Sequence, residues 1–180
     1  MSGRIEVSDS VLIIVIAALL LDTTMLTIMF LVAALIHEMG HLIAIILCRC
    51  KILKIKLTVF GGVIKYHNYQ SKIKDIIIAL SGPFMGFIAS YISAKLVFFT
   101  FSGANLILSI VNLIPVMPLD GGRVAMIIFT NYNFISIIIK IIISIFAVII
   151  FIYGKGISLI LFACVLWFNA DDIAKFKKIR

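Results

Sequence analysis

Charge is scarce in this chain of 180 residues: 13% are Asp, Glu, Lys or Arg, about half the share usual in a soluble domain. Proline is nearly absent, with three in all, and no proline- or glycine-rich linker, internal repeat or separate soluble domain can be discerned. The three cysteines, Cys48, Cys50 and Cys164, are an odd number, two of them only two positions apart, which excludes a disulfide framework. Cys48 and Cys50 form a Cys-x-Cys pair, a weak metal signal, and free cysteine more commonly packs as a small hydrophobe. The first apolar run ends Leu19-Leu20-Leu21-Asp22, without small residues for cleavage, so no removable signal peptide is expected. What the chain has instead is apolar mass: 63% hydrophobic residues and a mean hydropathy of +1.25. That balance points to an integral membrane protein.

Six apolar runs are candidates to cross a bilayer, each needing about 20 residues. They are Val11 to Leu21 with its neighbours, Met25 to about Leu47, Asp75 to Phe99, a run from Ala104 that breaks around Pro115 to Gly122, Phe134 to Tyr153, and a last one ending near Ala170. Turns are expected at Asp22-Thr23-Thr24, at Ser102-Gly103 and at Gly154-Lys155-Gly156. A charged tail, Asp171 to Arg180, follows.

The net charge of +8 would suit a nucleic-acid binder, but its placement favours membrane topology instead. Arg49, Lys51, Lys54, Lys56, Lys65, Lys72 and Lys74 cluster after the second run, and Lys175, Lys177, Lys178 and Arg180 lie in the tail. With six spans both clusters fall on one side, which the positive-inside rule makes the cytoplasm. Trp167 suits an interfacial position. Lys54 to Val59 alternates polar and apolar, Gly61-Gly62 offers a turn, and Val63 to Tyr66 can return. The pattern predicts a small β-hairpin at the cytoplasmic face, either a plain amphipathic ribbon or a substrate-binding element.

His37-Glu38-Met39-Gly40-His41 lies inside the second run. On a helix, residues i and i+4 share a face, so both imidazoles can reach one ion. This is the His-Glu-x-x-His pattern of zinc metalloproteases, in which the Glu serves as base. Ionisable groups are costly inside a bilayer and mark function there. The plainer alternative is a buried polar cluster holding helices together. Catalytic zinc takes three protein ligands and keeps one position for water, so a further ligand is required. Asp120 is the acidic residue that stands out in the remaining apolar body, within Asn112-Leu113-Ile114-Pro115-Val116-Met117-Pro118-Leu119-Asp120-Gly121-Gly122. The prolines and glycines there predict an unwound turn, tolerated in a membrane only where protein or a water-filled cavity surrounds it. An ordinary Asp in a helix-ending loop is the alternative.

These two motifs, in this order, resemble the site-2 protease family of intramembrane zinc metalloproteases, whose pattern is His-Glu-x-x-His in one helix and Asn-x-x-Pro-x-x-Pro-x-Asp-Gly in a later one. The likeness covers about residues 25–128. It implies one zinc ion held by His37, His41 and Asp120, Glu38 as catalytic acid/base, and Asn112 near the substrate or the developing oxyanion. Within the family the chain is similar to the short stage IV sporulation protein FB group, without a PDZ domain. The chain stops about ten residues after the last run, so the CBS domain typical of that group is not expected. A second departure is Gly86 in Ser81-Gly82-Pro83-Phe84-Met85-Gly86, where many relatives carry Asn.

The expectation is therefore an all-α polytopic membrane protein of about six transmembrane helices, with a small cytoplasmic-side β-hairpin and a broken helix at the active site. It forms a single protease domain over residues 1–180. The placement of the basic residues implies a cytoplasmic C-terminus and no nucleic-acid partner, and the resemblance implies a multi-pass protein of the bacterial cell membrane, a membrane-anchored protein substrate such as a sigma-factor precursor or anti-sigma factor, and a membrane regulatory partner. The rival class is a non-proteolytic zinc-binding membrane protein or metal transporter. A transporter would need polar residues along several spans, whereas these are confined to 37–41 and 112–122, and the fifth run offers only Lys140.

Overall fold

Among the described residues three helices are long and apolar enough to cross a membrane: α1 (Leu26–Leu47), α2 (Lys72–Lys95) and α5 (Tyr132–Ile152). The structure, a computed structural model, describes residues 4–7, 25–58, 61–67, 71–153 and 157–168. The remaining described helices are α3 (Phe99–Asn112), α4 (Asp120–Ile128) and α6 (Ile157–Phe168). The expected run at Val11 to Leu21, the turn at 154–156 and the charged tail lie outside the described residues. Two compact units divide the chain, residues 1–112 and 113–180.

In the first unit, the buried positions of α1 are Ala33, His37, Gly40, His41, Ala44 and Ile45, a stripe at three- and four-residue spacing. Leu35, Met39, Ile46 and Leu47 are exposed. Small and polar residues inside with large aliphatic residues outside invert the soluble pattern and suit a helix facing lipid. Two residues past the end of α1, Arg49 takes the left-handed region at φ 55. Cys50 N–H donates to the Ile45 carbonyl (3.0 Å) and Arg49 N–H to that of Ile46 (2.9 Å), so the last carbonyls are satisfied by a Schellman motif. Lys74 Nζ donates to the Cys48 carbonyl (3.0 Å), tying the start of α2 to the end of α1. Below that tie Ala44, Ile45, Cys50 and Ile78 form an apolar cluster with Cys48 packed on it. Cys50 is thus a buried hydrophobe, and burial pushes its thiol up from the ordinary range against the pull of Lys74.

The turn between α2 and α3 is not at Ser102-Gly103. It occupies residues 96–98, where Val97 takes φ 67, with Val97 N–H donating to Ala94 O (3.1 Å) and Phe98 N–H to Ser93 O (2.9 Å). A β-branched residue rarely adopts that backbone, so nothing local advertises the turn. Ser102 and Gly103 are helical. Ser102 joins Ser90 of α2 reciprocally: Ser90 Oγ donates to Ser102 O (2.9 Å) and Ser102 Oγ to Ser90 O (2.8 Å). Hydroxyls that would be stranded in an apolar setting are thereby paired across the helix hairpin. Further along, a Cβ on Gly86 would fall on Ser109 Oγ, which donates to the Asn105 carbonyl (2.8 Å). The space a side chain at position 86 would need is taken by Ser109, which accounts physically for glycine there.

Between α1 and α2 the backbone is extended. β2 (Lys51–Thr58) pairs antiparallel with β3 (Gly61–His67), with Ile55 opposite Ile64 and Thr58 opposite Gly61. β1 (Arg4–Val7) pairs parallel with the other edge of β2, Arg4 opposite Lys54, giving the order β1-β2-β3. Gly61 and Gly62 are the first residues of β3 and do not form the turn themselves.

In the second unit α5 carries a buried series, Tyr132, Ser136, Lys140 and Ala147, on an otherwise apolar surface. Lys140 Nζ lies 5.6 Å from the centroid of the Trp167 ring on α6, whose Nε1 donates to Ser144 Oγ (3.1 Å). One indole thus takes a cation on its face and a hydroxyl at its edge, pinning α6 to α5. The expected fourth run does break, but over 113–119. Gly121 and Gly122 belong to α4.

Candidate metal centre

His37 and His41 stand one helical turn apart on α1, both buried at 5% exposure. Their Nε2 atoms are 3.2 Å apart, with the rings near-perpendicular at 81°. His41 Nδ1 lies 2.7 Å from the carbonyl oxygen of Ile78 on α2. A carbonyl only accepts, so Nδ1 carries the proton and the lone pair resides on Nε2. Ser81 Oγ donates to the same carbonyl (2.6 Å). This is how a metal-binding imidazole is usually held: one nitrogen tied to a backbone oxygen, the other left to coordinate. The spacing also fits. Two nitrogens at about 2.0–2.1 Å from a tetrahedral ion would be about 3.3–3.4 Å apart.

Two glycines make the arrangement sterically attainable. A Cβ on Gly40 would lie 2.9 Å from Met85 Cβ and 3.0 Å from Gly82 Cα, so α1 and α2 meet backbone to backbone there. A Cβ on Gly82 would fall on His41 Nε2 and 2.7 Å from His37 Nε2. Any side chain at position 82 would therefore crowd the Nε2 atoms of both histidines. Pro83 follows inside α2 and cannot donate to the Ala79 carbonyl. The sequence drew notice to this stretch only for Gly86, and the role of Gly82 beside the imidazoles was not read from it. Ile78 was missed altogether, since a backbone carbonyl leaves no mark on residue type. Glu38, next to His37 on α1, is half-buried.

Asn112 is the last residue of α3. Its Nδ2 donates to the Leu108 carbonyl (2.9 Å), within its own helix. In the second unit Asp120 is the first residue of α4, with Leu119 extended before it (φ −69, ψ 158). It is presented from the opening turn of a helix, not from an unwound turn, and a carboxylate there is favoured by the helix dipole. Asp120 is buried at 7% exposure, and Arg123 Nη1 approaches its Oδ1 at 3.5 Å. The following glycines serve close approach. A Cβ on Gly121 would meet Leu113 O and lie 2.7 Å from Ile114 O, and one on Gly122 would meet Met117 N and lie 2.6 Å from Val116 O. Both allow segment 113–117 to fold back on the start of α4.

Comparison with known proteins bears on these features. Residues 25–104, which include His37, Glu38, His41 and Gly82, match the family described as Peptidase family M50. Stage IV sporulation protein FB of Bacillus subtilis is 28% identical over 112 residues, 56% of this chain and 39% of that protein. A zinc metalloprotease of Methanocaldococcus jannaschii is 32% identical over 111 residues, 55% of this chain and 32% of that protein. The matched region thus spans about a third of the length of these relatives. Among solved structures, the site-2 protease from Methanocaldococcus jannaschii superposes with a TM-score of 0.67 at 27% identity, over 96% of this chain and 91% of that one.

Proposed function

We propose that this chain is a member of Peptidase family M50 and an intramembrane zinc metalloprotease that hydrolyses peptide bonds of membrane-anchored proteins within or beside the bilayer. The observation that carries the reading is the pair of Nε2 atoms 3.2 Å apart, with the opposite nitrogen of His41 held by the Ile78 carbonyl. His37 and His41 are two ligands and Asp120 is the third. The M50 match and the zinc metalloprotease relative support zinc as the ion.

When bound, zinc supplies Lewis acidity, bringing the pKa of water down towards about 7 and polarising the scissile carbonyl. Glu38 takes the proton of the attacking water and later delivers it to the leaving amine. Asn112 donates from its amide to the developing oxyanion, exchanging its present bond to Leu108 O. The Ile78 carbonyl keeps His41 in the tautomer that coordinates through Nε2.

The substrate's scissile segment must leave its helix, because helical peptide groups are shielded. The β2–β3 hairpin, on the cytoplasmic side in this reading, offers edge pairing for the freed strand. Six spans place the C-terminus in the cytoplasm of a bacterial cell, with residues 25–128 as catalytic core. The likeness to a sporulation protein supports a sigma-factor precursor or anti-sigma-type substrate and a membrane regulatory partner.

The test is cleavage of a membrane-anchored substrate by the purified protein beside Glu38→Gln. That substitution keeps size but cannot accept the proton, so it retains zinc and loses activity by about 10²- to 10⁴-fold. Near wild-type turnover in Glu38→Gln would refute the mechanism.

A further inference from the structure

The segment between α3 and α4 has few backbone bonds of its own. Val116 N–H donates to Ile114 O (2.7 Å) and Leu119 N–H to Val116 O (3.0 Å). Pro115 and Pro118 have no N–H to give. The N–H of Met117 goes elsewhere: it donates to the phenol oxygen of Tyr132, 2.8 Å away and buried. Tyr132 opens α5, and its side chain belongs to a buried cluster with Met117 and Ala125, on which Met126 packs. The ring is thus clamped against α4 while its oxygen holds the segment three residues before Asp120. Gly122 also brings α4 so close that a Cβ there would clash with the same Met117 nitrogen.

We infer that Tyr132 is a positioning residue for the metal centre: through the Met117 N–H it sets the backbone of 113–119, and with it the direction in which Asp120 presents its carboxylate. The inference rests on the reading of Asp120 as a zinc ligand. Tyr132 lies outside both sequence motifs, and its part appears only through a bond made fifteen positions along the chain. A buried amide without an acceptor is costly, so removing the phenol oxygen releases the segment from its native course. The ring, which supplies the packing, is untouched by that change.

The experiment uses the full chain in detergent and compares wild type, Tyr132→Phe, Gly122→Ala and Asp120→Asn. Zinc affinity is read by competition with a chelator, amide exchange at Met117 by mass spectrometry, and kcat and KM on a membrane-anchored substrate. Tyr132→Phe is expected to exchange faster at Met117, bind zinc about tenfold more weakly per folded molecule, and lose kcat with KM unchanged. A purely structural tyrosine would lower melting temperature without altering zinc affinity per folded molecule. Gly122→Ala pushes on Met117 N from the α4 side and is expected to loosen zinc in the same way. Wild-type zinc affinity in both variants, with affinity lost in Asp120→Asn, overturns the positioning role and leaves the ligand assignment standing. Zinc affinity retained in Asp120→Asn overturns the assignment itself, and the inference with it.

Discussion

Gly82 of α2 faces His41 of α1 so closely that a Cβ at position 82 would clash with the imidazole Nε2. Two positions 41 residues apart in sequence therefore share one small volume, and glycine is the residue type that leaves it open. Gly82→Ala is expected to force the His41 ring or the α2 backbone aside. Overpacking of this kind costs about 1–3 kcal/mol, which corresponds to about 5- to 150-fold in zinc affinity if it falls on the metal-bound state. Gly103→Ala is the control, because nothing lies within 4 Å of a Cβ there. Chelator competition on both variants checks it, and equal zinc affinity in the two would contradict the geometry.

The ligand set predicts one zinc per chain, lost sharply in His37→Ala and reduced in Asp120→Asn, which takes a negative charge away from the ion. Metal analysis of purified protein at matched folded yield is the measurement. Full zinc content in both variants would exclude these side chains as ligands.

Topology gives a third expectation. A reporter fused after Arg180 and another inserted near Asn68 should both respond as cytoplasmic, because both basic clusters then obey the positive-inside bias. Opposite compartments for the two reporters would break the six-span arrangement.

The reciprocal bonds of Ser90 and Ser102 predict coupling between α2 and α3. In a double-mutant cycle of Ser90→Ala and Ser102→Ala, stability in detergent should show an interaction of about 0.6 kcal/mol, the usual size for hydrogen bonds between membrane helices. Strict additivity would mean that the pair contributes nothing to the hairpin.

Much of this protein is encoded at short range. The membrane character follows from composition, and the shared face of His37 and His41 from the 3.6-residue period of a helix. The Asn-x-x-Pro-x-x-Pro-x-Asp-Gly run announced a break because proline cannot donate a backbone bond. Other features were decided by tertiary contact. The α2–α3 turn settled on Val97 rather than on Ser102-Gly103, because paired serines hold the latter inside a helix hairpin and a left-handed valine is overruled only by its surroundings. Gly121 and Gly122, which read as helix breakers, are helical because the preceding segment packs against their bare Cα atoms. The Ile78 carbonyl, the opening at Gly82 and the bond from Met117 to Tyr132 depend on which segments meet in space. Spacing along a chain records the period of its own helix; it carries no signal for a backbone oxygen or an absent side chain supplied by another.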